Sequence, residues 1–206
     1  MRPVLITAGA TRNPVDAIRY LSASATGRTG VAVATALEAG GADTHLLASP
    51  EAALRAPAHL STDRYGSTRD LMARMKAWLT LHPDGVVVHS CAVGDYEVAA
   101  SDHKIASNQD ELVLRLTPTP KILDHLKRWA PDCRVVSFKA ASPETTPERL
   151  VEIAQAQRAR TGSDLVFANV IGDLERSVWL VDDAPTAFPD RGAAVATLIA
   201  RVQAWL

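Results

Sequence analysis

The chain has 206 residues, of which 47% are apolar, and its formal net charge at pH 7 is −1. This length predicts a single domain with a sizeable core, spanning residues 1–206. A net charge so close to zero argues against a nucleic-acid partner, which would require a cluster of basic residues, and gives no sign of attraction to a membrane.

Short apolar runs alternate with amphipathic patterns along the whole chain. Apolar runs between turn signals predict buried strands, whereas apolar residues spaced three and four apart predict helices. In chain order, the predicted elements are a strand at 3–9, a helix at 26–39, a strand at 43–49, a helix at 67–81, a strand at 85–90, a helix at 120–130, a strand at 134–140, a helix at 146–160, a strand at 163–170, an edge strand at 177–183 and a helix at 192–206. Ser67 is the expected cap of one helix, and Pro120 and Pro147 lie in the first turns of two others.

The order of these elements predicts the fold class. Strands alternate with helices and the central strands are apolar throughout, which is typical of a doubly wound, mainly parallel, Rossmann-like α/β sheet with helices on both faces. Residues 91–120 break the pattern because they are long and polar. The alternation at residues 112–116 predicts one strand, and we interpret residues 97–117 as an antiparallel flap. A loop of this length in a compact domain is usually functional.

Cysteine usage and the start of the chain indicate the compartment. Cys91 and Cys133 form no Cys-x-x-Cys motif, so we expect two reduced thiols. Residues 1–11 enter an apolar strand directly, without the pattern of a signal peptide, and no apolar run approaches the roughly 18 residues of a membrane span. We therefore expect a cytoplasmic protein with no membrane partner.

Several common catalytic motifs are missing. Ligands of such a sheet bind beyond the carboxyl ends of the strands, and polar residues follow Gly9, Ser90, Phe138 and Asn169 there. The first turn, GATRNP, is not G-x-G-x-x-G, and no acidic residue closes the second strand, so NAD is not expected. The hydrolase elbow and the Walker A loop are absent, and no histidine pair has metal-ligand spacing. We interpret His89 as a core histidine.

Residues 20–30 read YLSASATGRTG, which sets two glycines and a basic residue among small hydroxyl residues. The segment follows a predicted strand and leads into a predicted helix. Backbone amides at a helix start can hold a phosphate group. We therefore expect a phosphate-binding segment here.

Three stretches carry a resemblance to a known family. They are residues 4–30, residues 86–96 together with HKIAS at 103–107, and residues 117–131 followed by VVSFKA and DLVFAN. In this order and spacing they resemble phosphopantothenate–cysteine ligase, and the resemblance spans residues 3–182. HKIAS, TPKIL and SFK are most similar to the stand-alone bacterial form and the eukaryotic enzyme. No flavin-dependent decarboxylase domain precedes Met1, so no flavin is expected.

The resemblance implies a two-step ligation in coenzyme A biosynthesis. The carboxylate of 4′-phosphopantothenate attacks the α-phosphate of CTP, or of ATP in the eukaryotic branch, with Mg²⁺ accompanying the triphosphate. The amine of cysteine then attacks the acyl-nucleotide. The resemblance further implies a homodimer that pairs through the flap. It leaves open the choice between CTP and ATP and whether a separate phosphopantothenoylcysteine decarboxylase binds.

The resemblance also implies which residues serve this chemistry, which requires charge neutralisation and alignment rather than a protein nucleophile. Lys104 would contact phosphate groups from the flap, and Asp95 would bind a ribose hydroxyl or Mg²⁺. The other nucleotide-binding positions are Gly9, Ser90, Cys91, Pro120, Lys121, Ile122, Leu123, Phe138 and Arg160. The phosphopantothenate-binding positions are Arg19, Ser24, Thr26, Gly27, Arg28 and Ala92.

Ala23 departs from the family pattern, which has asparagine at this position, tied to the reaction with cysteine. Alanine offers no side-chain hydrogen bond, and losing one such contact can cost on the order of 10²-fold in rate. Ser22 and Ser24 are neighbours that can substitute for the amide. Two alternatives therefore stay open: a ligase-fold enzyme that activates a different acid, and a non-catalytic nucleotide- or pantothenate-binding protein.

Overall fold

A computed structural model describes residues 1–173 and 178–206. The strands are β1 (Val4–Ala8), β2 (Arg12–Pro14), β3 (Tyr20–Ser22), β4 (Thr44–Ala48), β5 (Thr62–Arg64), β6 (Val86–His89), β7 (Tyr96–Glu97), β8 (Thr117–Pro118), β9 (Arg134–Ala141), β10 (Leu165–Val170), β11 (Val178–Val181) and β12 (Thr186–Phe188). The helices are α1 (Arg28–Ala39), α2 (Pro50–Ala53), α3 (Thr68–Leu81), α4 (Leu123–Trp129), α5 (Pro147–Thr161) and α6 (Arg191–Gln203).

The main sheet has the strand order β12-β11-β10-β9-β6-β1-β4-β5. Its strands from β5 to β10 pair in parallel, and β11 and β12 continue it antiparallel. The predicted fold class is therefore confirmed. Because the chain builds outward from β1 to β4 on one side and returns to β6 on the other, the topological switch point lies between β1 and β6. In sheets of this kind the ligand crevice lies there, beyond the carboxyl ends of the two strands.

Helices bury both faces of the sheet. On one face Ile6 packs in a cluster with Leu37 of α1 and Leu198 of α6. On the other face Leu5 packs with Met75 of α3 and with residues of α4. Burial on both faces explains why the central strands are apolar without alternation. Within residues 1–173 and 178–206, no helix has the length and apolar character needed to cross a membrane.

The flap differs from its prediction. Residues 112–116 form no strand, and the strand pairing of the flap seen in the described residues is at its base, where β7 pairs antiparallel with β8. Leu112, Val113 and Leu114 are exposed. An alternating pattern forms a strand only when a sheet covers its apolar side, and no described strand lies against these residues.

Two further predictions are corrected at element ends. The predicted edge strand is β11, which lies between β10 and β12, so β12 forms the edge instead. The first residue of that prediction, residue 177, lies outside the described residues. The helix predicted from Pro120 begins at Leu123, after the buried Ile122. The short elements β2, β3, β5, β12 and α2 were not predicted.

Candidate functional site

The loops that follow β1 and β6 run side by side at the switch point. The amide of Ala92 donates to the Gly9 carbonyl at 2.8 Å, and the amide of Thr11 donates to the Ala92 carbonyl at 3.1 Å. These bonds extend the parallel pairing past the ends of the strands. Gly9 and Ala92, predicted as site residues, are therefore brought together by the backbone.

The start of α1 packs directly against these strand ends, and glycines make the approach possible. Gly27 precedes α1 with φ +75°, and a Cβ on it would lie 2.9 Å from the Gly9 nitrogen. A Cβ on Gly30 would lie 2.5 Å from the Ser90 hydroxyl oxygen. No described side chain caps the N-terminus of α1. Its first amides therefore remain available to an anion in the crevice.

The residues around this start face solvent. Ala23, Ser24, Thr26 and Arg28 are all exposed, and the Ser22 hydroxyl donates to the Ala23 carbonyl at 3.2 Å. The segment therefore offers hydroxyl groups and a guanidinium beside the amides of α1. Space at position 23 is not restricted by packing.

Cys91 contributes backbone rather than a reactive thiol. Its side chain is buried, and burial raises the pKa of the Cys91 thiol to about 11. His89 Nδ1 lies 3.9 Å from the sulfur and 3.0 Å from the Thr7 hydroxyl. Burial lowers the pKa of His89 to about 4, so the imidazole is neutral at pH 7. A protonated thiol beside a neutral imidazole is a poor nucleophile, and the interpretation of His89 as a core histidine is confirmed.

Asp95 and Lys121 are brought together as an ion pair. The backbone beneath them is held firmly, because the Gly94 amide donates to the Thr11 hydroxyl at 2.8 Å and the Thr119 amide donates to the Asp95 carbonyl at 2.9 Å. Pro120, half-buried, lies between Thr119 and Lys121. The pair therefore sets one carboxylate and one ammonium at the rim of the crevice.

The Asp95 carboxylate is the one group of this site that we consider as a ligand for a metal ion. Among the residues that the structure describes, no three His, Cys, Asp or Glu side chains gather in a way that would hold a metal. Mg²⁺ commonly keeps several waters and uses one or two carboxylates together with substrate phosphates. Asp95, whose side chain is 64% exposed, suits an ion that arrives with a nucleotide but not a resident metal centre.

Some side chains of the predicted base-binding residues pack in the hydrophobic core. Ile122 is buried, and Leu123 packs against the same cluster, so Ile122 can offer a ligand only its backbone. Phe138 is half-buried and stacks on Phe167 with ring centroids 4.8 Å apart. One face of Phe138 is therefore already covered.

Arg160 is not brought to this edge. It lies near the end of α5, which leads into the amino end of β10, and it forms an ion pair with Asp124. The site described above lies beyond the opposite, carboxyl ends of the strands. Its partner Asp124 nevertheless directly follows Leu123 in the first turn of α4, so the ion pair links Arg160 to the segment of predicted base-binding residues.

Two side chains near the carboxyl edge were missed by sequence reasoning. Gln157 donates to the Ser137 hydroxyl at 3.0 Å and to the Phe138 carbonyl at 3.2 Å. Arg191 donates to the Thr29 hydroxyl at 3.1 Å and so ties the start of α6 to the start of α1. Neither belongs to a recognisable motif, because each contact joins residues far apart in the chain.

Arg19 contacts the flap at the residue that follows Lys104. The Arg19 guanidinium donates to the Ile105 carbonyl at 3.1 Å, so it contacts the flap directly. Lys104 is exposed and forms no ion pair with any described side chain. Its ammonium is therefore not neutralised by a neighbouring carboxylate.

Comparison with known families gives a match over most of the chain. The model of a family described as DNA/pantothenate metabolism flavoprotein C-terminal domain matches residues 1–196. The coenzyme A biosynthesis bifunctional protein CoaBC of Thermococcus kodakarensis is 37% identical over 183 residues, which cover 86% of this chain and 44% of that protein. CoaBC of Escherichia coli K12 is 30% identical over 173 residues, covering 81% of this chain and 40% of that protein. The chain thus spans less than half the length of these curated relatives.

Solved structures show the same fold. The DNA/pantothenate metabolism flavoprotein from Streptococcus pneumoniae superposes with a TM-score of 0.89 at 25% identity, covering 100% of both chains. A mutant of Cab2 in complex with phosphopantothenate-cysteine superposes with a TM-score of 0.80 at 18% identity, covering 99% of this chain and 87% of that one. The second likeness concerns the fold alone.

Proposed function

We propose, since the chain belongs to the DNA/pantothenate metabolism flavoprotein C-terminal domain family, that it is a ligase joining 4′-phosphopantothenate to L-cysteine in coenzyme A biosynthesis. The observation that carries the proposal is the 37% identity to a coenzyme A biosynthesis protein over 86% of the chain. The geometry supports it at one place, where the uncapped start of α1 meets the ends of β1 and β6.

The first step needs two anions held side by side. Amides at the start of α1, with Ser24, Thr26 and Arg28, bind the phosphate of phosphopantothenate. Its carboxylate oxygen attacks the α-phosphorus of CTP or ATP, the bond to the β-phosphate breaks, and pyrophosphate leaves. Lys104 and Lys121 neutralise the triphosphate, which lowers the repulsion between the reacting groups.

The second step releases the nucleotide. The amine of cysteine attacks the acyl carbon of the intermediate and loses a proton, while the acyl C–O bond breaks and the mononucleotide leaves. Backbone at Ser90, Cys91 and Ala92 lies close enough to the crevice to align the acyl group. Cys91 itself takes no covalent part, because its thiol stays protonated.

Mg²⁺ enters with the nucleotide in this proposal. When bound, it would supply positive charge to the phosphates, and Asp95 is the one carboxylate we assign to it or to a ribose hydroxyl. Its pairing with Lys121 keeps that carboxylate at the rim of the crevice. No flavin and no NAD take part.

The proposed assembly is a homodimer. The apolar side chains of the flap, Leu112, Val113, Leu114 and Leu116, are exposed, and among the described residues the strand pairing of the flap is limited to β7 with β8 at its base. A second copy would cover these side chains. Light scattering after size exclusion is expected to give twice the monomer mass, and a monomer at micromolar concentration would contradict this.

The proposed setting is the cytoplasm.

The product of the reaction is the substrate of a phosphopantothenoylcysteine decarboxylase, so a separate enzyme of that kind is the proposed partner. A titration of the two purified proteins by calorimetry measures whether they associate or exchange the product by diffusion.

Pyrophosphate release tests the reaction directly. CTP and ATP are supplied separately with 4′-phosphopantothenate and Mg²⁺, with and without cysteine. Continuous release that requires cysteine supports the ligase, and the faster nucleotide identifies the co-substrate. A single burst that cysteine does not accelerate means that only activation occurs. No release with either nucleotide from folded protein contradicts the proposal, and favours a different acid if other acids restore release, or a binding role if they do not.

A further inference from the structure

The side chain of Asp16 links two segments that are distant in the sequence. It lies in the turn between β2 and β3, and none of it is exposed. Oδ1 accepts from the amides of Ile18 at 2.9 Å and Arg19 at 2.8 Å. Oδ2 accepts from the amide of Ile105, in the flap, at 3.0 Å. One buried carboxylate thus joins the β2–β3 turn to the flap.

Arg19 holds the same flap residue from its other side. Its Nη2 donates to the Ile105 carbonyl at 3.1 Å, and its Nη1 lies 3.5 Å from Asp16 Oδ2. The amide and the carbonyl of Ile105 are therefore both bound by charged side chains of one turn, and such bonds are stronger than neutral ones. We name this arrangement of Asp16, Arg19 and the Ile105 backbone the flap clamp.

The flap has few other attachments near this point. The Ser101 amide donates to the Val15 carbonyl at 3.0 Å, and β7 pairs with β8 at the base. Between these attachments, the other hydrogen bonds that residues 102–116 form with described residues are local, such as those from His103 to Ser101 and from Gln109 to Ala106. The clamp is thus the long-range contact that sets where this stretch lies. Lys104 is the residue immediately before it.

A purely local role for Asp16 does not account for this geometry. An aspartate that only shapes its own turn needs the bonds to Ile18 and Arg19, which Oδ1 alone accepts. The bond from Ile105 to Oδ2 crosses 89 positions in the sequence. The backbone bonds from Ile18, Ile105 and Arg19 lower the pKa of Asp16 below its usual value, so the carboxylate is charged at neutral pH.

We propose that Asp16 is a positioning residue for the ligation, which acts by holding Ile105 and so placing Lys104 at the triphosphate. The same turn leads into residues 20–28, so it joins the phosphopantothenate segment to the flap lysine. The ligation role rests on the proposed function, whereas the clamp itself does not.

Limited proteolysis tests the clamp without any activity measurement. Asp16→Asn keeps an oxygen for the amides of Ile18 and Arg19 but replaces the acceptor of the Ile105 amide with an NH₂ group. Trypsin cleavage after Lys104 is expected to become about tenfold faster, since a locally opened segment is cleaved in proportion to its open population. Asp70→Asn is the matched control, because Asp70 accepts from the nearby Gly66 amide and contacts no flap residue. Urea unfolding of both variants checks that the fold is retained.

Kinetics tests the link to Lys104. Asp16→Asn is expected to lower kcat/KM for the nucleotide about tenfold and to leave the KM for cysteine unchanged. In a Lys104→Ala background the same substitution is expected to have no further effect, because residues that act as a unit are non-additive. Asp16→Glu is expected to recover part of the loss.

The outcomes separate the two claims. Unchanged cleavage after Lys104 in Asp16→Asn would overturn the clamp, whatever the activity. Faster cleavage with unchanged kcat/KM, or additive effects with Lys104→Ala, would overturn the positioning role. No pyrophosphate release from the wild-type protein would overturn that role together with the proposed function, while the cleavage rates still judge the clamp.

Discussion

The Nδ1 atom of His89 lies 3.0 Å from the hydroxyl of Thr7, its register partner on the neighbouring parallel strand. Both side chains are buried at the carboxyl end of the sheet, directly beneath the crevice. The contact satisfies one ring nitrogen without adding charge. Protonation of His89 would place a cation in this buried position.

Stability is expected to fall as the pH is lowered from 7 to 5. The ordinary pKa of histidine is 6.5, and burial lowers that of folded His89 to about 4. Between these values the unfolded chain binds the proton and the folded chain does not, so acid favours unfolding by about 2 kcal/mol at pH 5. Urea unfolding at the two pH values measures this. His89→Gln should reduce the loss of unfolding free energy between pH 7 and pH 5, whereas His59→Gln, at an exposed position, should leave it unchanged.

Restoring the missing amide is expected to accelerate the second step. Position 23 is exposed, so Ala23→Asn adds no buried group and should leave the urea midpoint unchanged. The cysteine-dependent rate should rise by on the order of 10²-fold if a positioned amide is what the site lacks. Single-turnover decay of the acyl-nucleotide on adding cysteine measures it. Ala25→Asn, which places the same amide two residues away, is the control. An equal rate in the wild type and both variants would mean that Ser22 or Ser24 already supplies the hydrogen bond of the missing amide.

Removal of the flap ammonium is expected to slow activation. Lys104→Ala should lower the rate of pyrophosphate release by on the order of 10²-fold, since it deletes the charge that neutralises the triphosphate in the proposed reaction. Lys76→Ala removes an ammonium that is also exposed, from α3, on another part of the surface. If the two variants release pyrophosphate equally fast, Lys104 has no role at the phosphates.

Arg160 provides a test between the family resemblance and the geometry. Because its guanidinium already pairs with Asp124, and because α5 ends toward the amino end of β10, Arg160→Ala should change the KM for the nucleotide by less than about twofold. Lys121→Ala, at the rim of the crevice, should raise the KM for the nucleotide several-fold, which is more than the change expected for Arg160→Ala. A large increase with Arg160→Ala would show that its guanidinium contributes to nucleotide binding, as the resemblance implies.

Alanine substitutions at two glycines with positive φ distinguish the cost of backbone strain from the cost of close packing. Gly27 has φ +75° and would place a Cβ 2.9 Å from the Gly9 nitrogen, whereas Gly41 has φ +84° and open space around it. Gly41→Ala should therefore cost about 1 kcal/mol from the backbone alone. Gly27→Ala should cost about 1–3 kcal/mol more because it must also push α1 from the strand ends. Equal losses in urea unfolding would mean that α1 packs less tightly than the distances indicate.

Much of the fold was accessible from local patterns. Strand β6 is a continuous apolar run, and α3 follows Ser67 with apolar residues at helical spacing. Both patterns depend only on residues close together in the chain, so the ends of both elements were predicted to within two residues. The uncapped start of α1 was also recognisable, because the glycine before it has no side chain that could cap the first amides. The strand predicted at 112–116 was wrong because alternation says nothing about whether a partner strand exists.

The sequence by itself therefore determined the parallel α/β class, the order of its elements and the family to which the chain belongs. The tertiary structure alone decided which distant groups meet: Arg160 with Asp124, Lys121 with Asp95, and Asp16 with Ile105. The physical reason is that periodicity and capping depend on residues a few positions apart. A hydrogen bond across 89 positions depends instead on how the sheet and its loops pack, which no local pattern encodes.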